Sequence, residues 1–253
     1  NINVKAGSTI ITGNINSSDA YSLQTSPTVL LAPGTFIWQG GDTTNPTDCS
    51  TAANWIGGVV PSNDGSADII IPGTAASFPV ITTVDTVNVK SVQLGENATL
   101  TVNGSLTCPS IELSANSSII YASDVTISNA SQFTGAGTVK TSGKLLISTD
   151  LTGDDNKSLS YECGTLNLTN SLVCSKILVN DETYFNTSGN MYYLVAESSD
   201  GITFGNTVTV NANGNQALIA GNVYSKNNAE VTINVNSDAL NHTAETNNGY
   251  HAW

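Results

Sequence analysis

The amino-acid sequence predicts an all-β chain, a single right-handed parallel β-helix with three short strands in each coil of roughly 20 residues. Three observations predict it. Runs such as Val89-Lys90-Ser91-Val92-Gln93-Leu94 and Ala98-Thr99-Leu100-Thr101-Val102 alternate apolar and polar residues, the period of a strand buried on one side. Helical i, i+3, i+4 spacing is nearly absent, and Asn, Gly, Ser and Asp interrupt the runs every few residues. The runs also line up with one another.

Leu100, Ile119, Val139, Leu159 and Val179 are spaced by 19, 20, 20 and 20 residues. A second column, Leu106, Val125, Leu145 and Leu166, is shadowed two residues on by Cys108, Ile127, Ile147 and Leu168. A looser third runs through Val92, Ile111, a slot near Phe133, Leu151 and Leu172. Three columns imply three strands per coil, with equivalent residues stacked into interior ladders. An antiparallel sandwich also repeats its strands, but three columns in common register favour the solenoid. Beyond 183 the pattern continues irregularly through Leu194, Ile202, Val208, Ile219, Val223 and Val231.

In chain order, residues 1–34 read as a β segment, part of a cap or of an upstream repeat. Residues 35–82 read as a Trp/Gly/Pro-rich cap, 83–245 as the coils, and 246–253 as a tail or the start of another segment. The open end of a solenoid exposes unpaired backbone and its apolar interior. Trp38, Trp55 and Pro61 are the expected structural cap over it. Without an initiator Met, and with its abrupt end at Gly249-Tyr250-His251-Ala252-Trp253, the chain reads as part of something longer.

Composition narrows the function. Charged residues are 11% of the chain, and Ser, Thr, Asn and Gly make up the polar surface, a texture of secreted repetitive β proteins. The net charge is −13, and all seven basic residues are Lys. Nucleic acid, which needs clustered cations, is excluded as a partner, and polyanionic surfaces are disfavoured. No apolar run is long enough for a membrane helix, so membrane insertion is not expected.

Catalytic constellations are sparse. Glu112, Asp124, Glu162 and Asp181 lie in or near coil strands, and they share no obvious column that would face two of them across a glycosidic bond. Asp154-Asp155 reads as a corner. His242 and His251, the only histidines, fall in the irregular C-terminal stretch. The chain is therefore expected not to be an enzyme and to need no cofactor. Oxygen donors at Asn63-Asp64-Gly65-Ser66-Ala67-Asp68 and Ser199-Asp200-Gly201 would suit Ca2+, and the same sequences form ordinary turns. Cys49, Cys108, Cys163 and Cys174 follow no metal-ligand spacing, and read either as small buried hydrophobes or as including a Cys163–Cys174 disulfide.

Tyr184, Phe185, Tyr192 and Tyr193 cluster within ten residues. Tyr184, Tyr192 and Tyr193 are candidates for ligand contact through sugar stacking; the competing reading is aromatic filling of an irregular interior.

Trp38, Gly40, Asn54, Trp55, Gly58, Pro61, Asp68 and Ile69 to Ile71 form a pattern W-x-G, then N-W-x-x-G-x-x-P, then an aliphatic strand. This resembles a segment of Bacteroidetes-type secreted and surface β-helix proteins and of autotransporter-like passenger domains. Many of them carry a further Trp where this chain has Asp48-Cys49. The resemblance implies a β-helix at the bacterial cell surface, and no catalytic residues come with it. The expectation is a non-catalytic extracellular structural or adhesive module, with a carbohydrate-binding module or a degenerate polysaccharide lyase or hydrolase as alternatives. Its partners would be host or cell-surface glycans or proteins, or neighbouring subunits of one assembly.

Overall fold

A computed structural model describes residues 34–185, 192–212, 217–226 and 229–235. The expectations for 1–33, His242, His251 and the 246–253 tail lie outside the described residues. The chain folds as a right-handed parallel β-helix of about 7 turns, and every pairing between described strands is parallel.

Most coils contribute a strand to each of three faces. The first face stacks Thr35–Ile37, Asp68–Ile71, Ser91–Leu94, Ser110–Leu113 and Phe133–Gly135, and resumes with Leu172–Cys174, Tyr192–Ala196 and Ala217–Ala220. The second face is one continuous eight-stranded sheet running from Val80–Ile81 through Thr99–Val102, Ser118–Tyr121, Thr138–Thr141, Ser160–Cys163, Lys176–Val179 and Ile202–Phe204 to Val223–Ser225. The third face carries Thr86–Asn88 and Ser105–Thr107, then Val125–Ile127, Lys144–Ile147, Thr165–Leu168 and Thr183–Phe185, then Val208–Ala212 and Val231–Val235.

The apolar ladders follow from alternation along each strand. Leu100 pairs with Ile119 and Ile119 with Val139, while Val125 pairs with Leu145 and Leu145 with Leu166. All six are buried. Val92, Ile111 and Phe133 pair in turn on the first face, and Leu151 meets Leu172 in an isolated parallel bridge. The irregular C-terminal positions also find partners: Leu194 with Ile219, Ile202 with Val223, and Val208 with Val231. Corners between the first and second faces use Asn97 and Asn116 at φ 64° and 58°, a left-handed conformation that Asn tolerates better than most residues.

Two members of the predicted core ladder are corrected. Val139 pairs with Tyr161, not Leu159, and Tyr161 pairs with Ile177, leaving Val179 opposite Cys163. The cause is an inserted helical turn, Asp154–Lys157, where the sequence suggested a plain corner. Its buried Asn156 donates from Nδ2 to the carbonyls of Ala130 (3.0 Å) and Phe133 (3.2 Å), standing in for backbone pairing on the first face. A slip of two residues preserves the inward parity, so Leu159 and Val179 remain buried at 0% exposure. Leu106 is corrected likewise: it pairs with Val87, and no described strand pairing carries its column on to Val125.

The segment 35–82, expected as a cap on the coils, is built into the stack as its outermost described coil. Thr35–Ile37 lies beside Asp68–Ile71 on the first face, and Asp48 bridges Val80 on the second. On the third, Asn63 Nδ2 donates to the Thr86 carbonyl and Asn63 Oδ1 accepts from the Asn88 N–H, so one side-chain amide imitates a strand. Coiling therefore begins well before residue 83.

Tyr161 introduces a discordant group into this core. Its ring is buried, and its hydroxyl has no hydrogen-bond partner among the described residues. Burial, with a smaller contribution from Cys174, pushes the phenol above its ordinary range. Tyr161→Phe removes an unsatisfied hydroxyl from an apolar interior, so urea denaturation is expected to show unchanged stability or a gain of up to about 1 kcal/mol. A loss above that size would mean the hydroxyl is satisfied in solution.

Candidate functional site

The residues of the W-x-G and N-W pattern have clear local roles. Trp38 and Trp55 pack edge to face with centroids 5.0 Å apart, and both are buried. Trp38 Nε1 donates to the Ser77 carbonyl at 2.6 Å, and Trp55 Nε1 to that of Cys49 at 2.9 Å. Gly40 has φ +60°, and a Cβ there would lie 2.3 Å from the Ser77 oxygen, so only glycine fits. Asn54, fully buried, donates to the carbonyls of Asn45 and Asp48 and accepts from the Asp42 N–H. Asp48 accepts from Thr51 and Ser50, which hold its carboxyl below the usual range. Half-buried Pro61 lines an apolar chamber of about 280 Å3 together with Trp55, Ile71, Ile81 and Val87. These contacts hold the widened coil together.

The proposed ligand tyrosines are not brought onto one surface. Tyr184 is 47% exposed on the third face, where its hydroxyl donates to Glu182; Tyr193 is 36% exposed on the first. Neither fills the interior. Tyr192 belongs to the same strand as Tyr193, and its side chain lies outside the described residues.

The four carboxylates are dispersed. Glu112 stands on the outside of the first face and accepts from Gln93 Nε2 at 3.3 Å. Asp124 and Asp181 occupy the corner between the second and third faces, where Asp124 accepts from the Lys144 N–H at 2.8 Å. Glu162 alone lies on the second face, paired with Lys140 at 3.3 Å. Among the described residues no group of three His, Cys, Asp or Glu side chains could hold a metal ion. At the turns named for Ca2+, Asp64 accepts from Ser66, and Asp200 pairs with Lys176.

All four cysteines are free, with Cys163 on the second face and Cys174 on the first. Burial pushes both thiols up to about 12, and burial with Asp48 and Asp85 nearby does the same to Cys49. Thiolate is therefore scarce at pH 8. A thiol-reactive dye is expected to label the native chain slowly and to find four thiols once it is unfolded without reductant. Reaction of Cys49 and Cys108 alone would mean that Cys163 and Cys174 are bonded.

The polar feature that register does assemble is a groove of about 300 Å3 on the outer second face. Lys140, Glu162, Leu178 and Thr203 are successive partners along one outward column, and Tyr224 follows as the partner of Thr203. Ser160 and Lys176 pair two residues earlier, with Asp200 and Lys226 along the same opening. Lys176 Nζ meets Asp200 at 2.9 Å. Tyr224 is 46% exposed, and its hydroxyl donates to the Ser199 carbonyl at 2.9 Å, which ties the ring toward the corner bearing Asp200. Sequence reasoning missed this site because its columns counted apolar positions only. One residue on from Val139, Leu159 and Val179 stand Lys140, Ser160 and Asn180, so the two-residue slip also hid the Lys140–Glu162–Leu178 column.

No protein-family model, no curated protein and no solved structure matches the chain.

Proposed function

We propose that the chain is a non-catalytic module of an extracellular bacterial surface protein, a β-helical stalk whose outer face serves for adhesion. The observation that carries this reading is the dispersal of the candidate acids over two faces and a corner, set on a continuous ladder-built scaffold. Glycosidic hydrolysis needs two carboxylates facing each other at about 5–9 Å across one bond. The hydroxyl- and amide-rich composition, with 11% charged residues, supports an exported location.

One observation favours the competing reading of a polysaccharide-cleaving enzyme: Glu162 and Asp200 open on the same groove as three lysines. Both carboxylates are paired with lysines, Glu162 with Lys140 and Asp200 with Lys176, an arrangement suited to holding a surface rather than to proton transfer. Incubation with neutral and uronate-containing polysaccharides distinguishes the two. No new reducing ends and no unsaturated products are expected. Turnover that disappears in Glu162→Gln would establish the enzyme.

A further inference from the structure

We infer that the second-face groove binds a glycan through a single carboxylated sugar, with Lys226 opposite the carboxylate and Tyr224 against the sugar ring. This rests on the reading of the chain as an adhesive module and names the ligand class of its contact surface.

Charge selects the ligand. Three of the chain's seven lysines, Lys140, Lys176 and Lys226, line this one groove. Glu162 and Asp200 offset two of them, and among the described residues Lys226 makes no ion pair. The groove thus carries one surplus positive charge on a chain whose net charge is −13. One carboxylate is attracted locally, whereas a densely charged polyanion is repelled by the rest of the surface. The Lys140–Glu162 and Lys176–Asp200 pairs are 38% to 64% exposed, so their side chains can turn toward a ligand at little cost.

The remaining groups suit a sugar. Thr138, Ser160 and Thr203 present hydroxyls along the groove, and Leu178 gives it an apolar patch. Tyr224 continues the column at one end, and its bond to Ser199 fixes the ring before any ligand arrives. Beside it, Gly201 at φ +59° lets the next coil pack close under the groove, since a Cβ there would lie 2.0 Å from the Asn222 carbonyl oxygen. Successive coils are about 4.8 Å apart, so the column from Lys140 to Tyr224 offers an extended track.

Calorimetric titration of the full chain tests this with an oligosaccharide bearing one uronate and with the same oligosaccharide after reduction of its carboxyl to an alcohol. The uronate probe is expected to bind saturably, and carboxyl reduction to weaken it at least tenfold. Lys226→Gln should lose the same factor on the uronate probe alone, and Tyr224→Ala at least tenfold on both probes. Lys144→Gln, on the third face, should bind as the parent does. Unchanged melting temperatures confirm that these exposed substitutions leave the fold intact. Absence of saturable binding, or binding indifferent to carboxyl reduction or to Lys226→Gln, overturns the groove assignment and leaves the adhesive reading standing. Cleavage of either probe overturns the adhesive reading itself.

Discussion

Trp38→Ala is expected to cost about 3–5 kcal/mol, the range for deleting a fully buried large aromatic. Trp38 is 0% exposed, and the truncation removes its edge-to-face contact with Trp55 and leaves the Ser77 carbonyl without its donor. The loss falls first on one coil. In a solenoid each repeat contacts only its neighbours, so a damaged outermost described coil can open while the coils from Asp68 onward stay folded. Denaturation followed by tryptophan fluorescence should therefore shift to lower denaturant than the far-ultraviolet circular dichroism transition. Trp38→Phe keeps much of the packing and loses the N–H donor, for a smaller cost of about 1–3 kcal/mol. Coincident transitions with an unchanged midpoint in Trp38→Ala would show that the widened coil is not held by this pair.

Leu145→Ala is expected to cost about 2–5 kcal/mol, and to destabilise the stack as a whole. Leu145 is 0% exposed in the middle of the solenoid, with Val125 paired on one side and Leu166 on the other. A cavity there interrupts the interior ladder between two coils, and neither half can close over it without breaking strand pairing. Thr126, one residue from Val125, points outward and is exposed, so Thr126→Ala should stay within about 0.5 kcal/mol of the parent. Equilibrium urea unfolding of the two variants checks the contrast. Comparable losses at both positions would deny that side chains alternate between interior and solvent along this strand.

Much of the solenoid was legible in the sequence because coil stacking repeats an apolar residue at nearly constant separation, and alternation fixes which neighbours point inward. Leu100, Ile119 and Val139, and likewise Val125, Leu145 and Leu166, needed nothing further. What escaped was where the coil length changes. Between Val139 and Tyr161 the chain takes an extra helical turn, and Asn156 supplies through its side chain the hydrogen bonds that a strand would otherwise make. No periodicity announces such a substitution, because the compensating partner is a single amide. The widened first coil was obscured for a similar reason. Asn63 mimics a strand edge, so residues 35–66 look like a loop in sequence and behave as a coil in space.

The candidate site was less legible. Tyr184, Tyr192 and Tyr193 drew attention as neighbours in the chain, yet Tyr184 and Tyr193 stand on different faces. Lys140, Lys176 and the Tyr224–Lys226 stretch are far apart in sequence and converge because parallel register stacks the outward residues of the second face. Polar residues obey the same vertical arithmetic as the ladders, but their identities vary from coil to coil and leave no repeating signature.

Parallel in-register stacking is tested most directly by oxidative cross-linking on the third face. Thr126 and Leu146 are register partners on adjacent coils, at a strand separation of about 4.8 Å that a disulfide can span. The double variant Thr126→Cys with Leu146→Cys should cross-link rapidly and within one chain under mild oxidation, with the four native thiols kept out of reach by burial or raised pKa. Failure of that pair, with rapid cross-linking of Thr126→Cys to Ser148→Cys instead, would contradict the register on which both the interior ladders and the second-face groove depend.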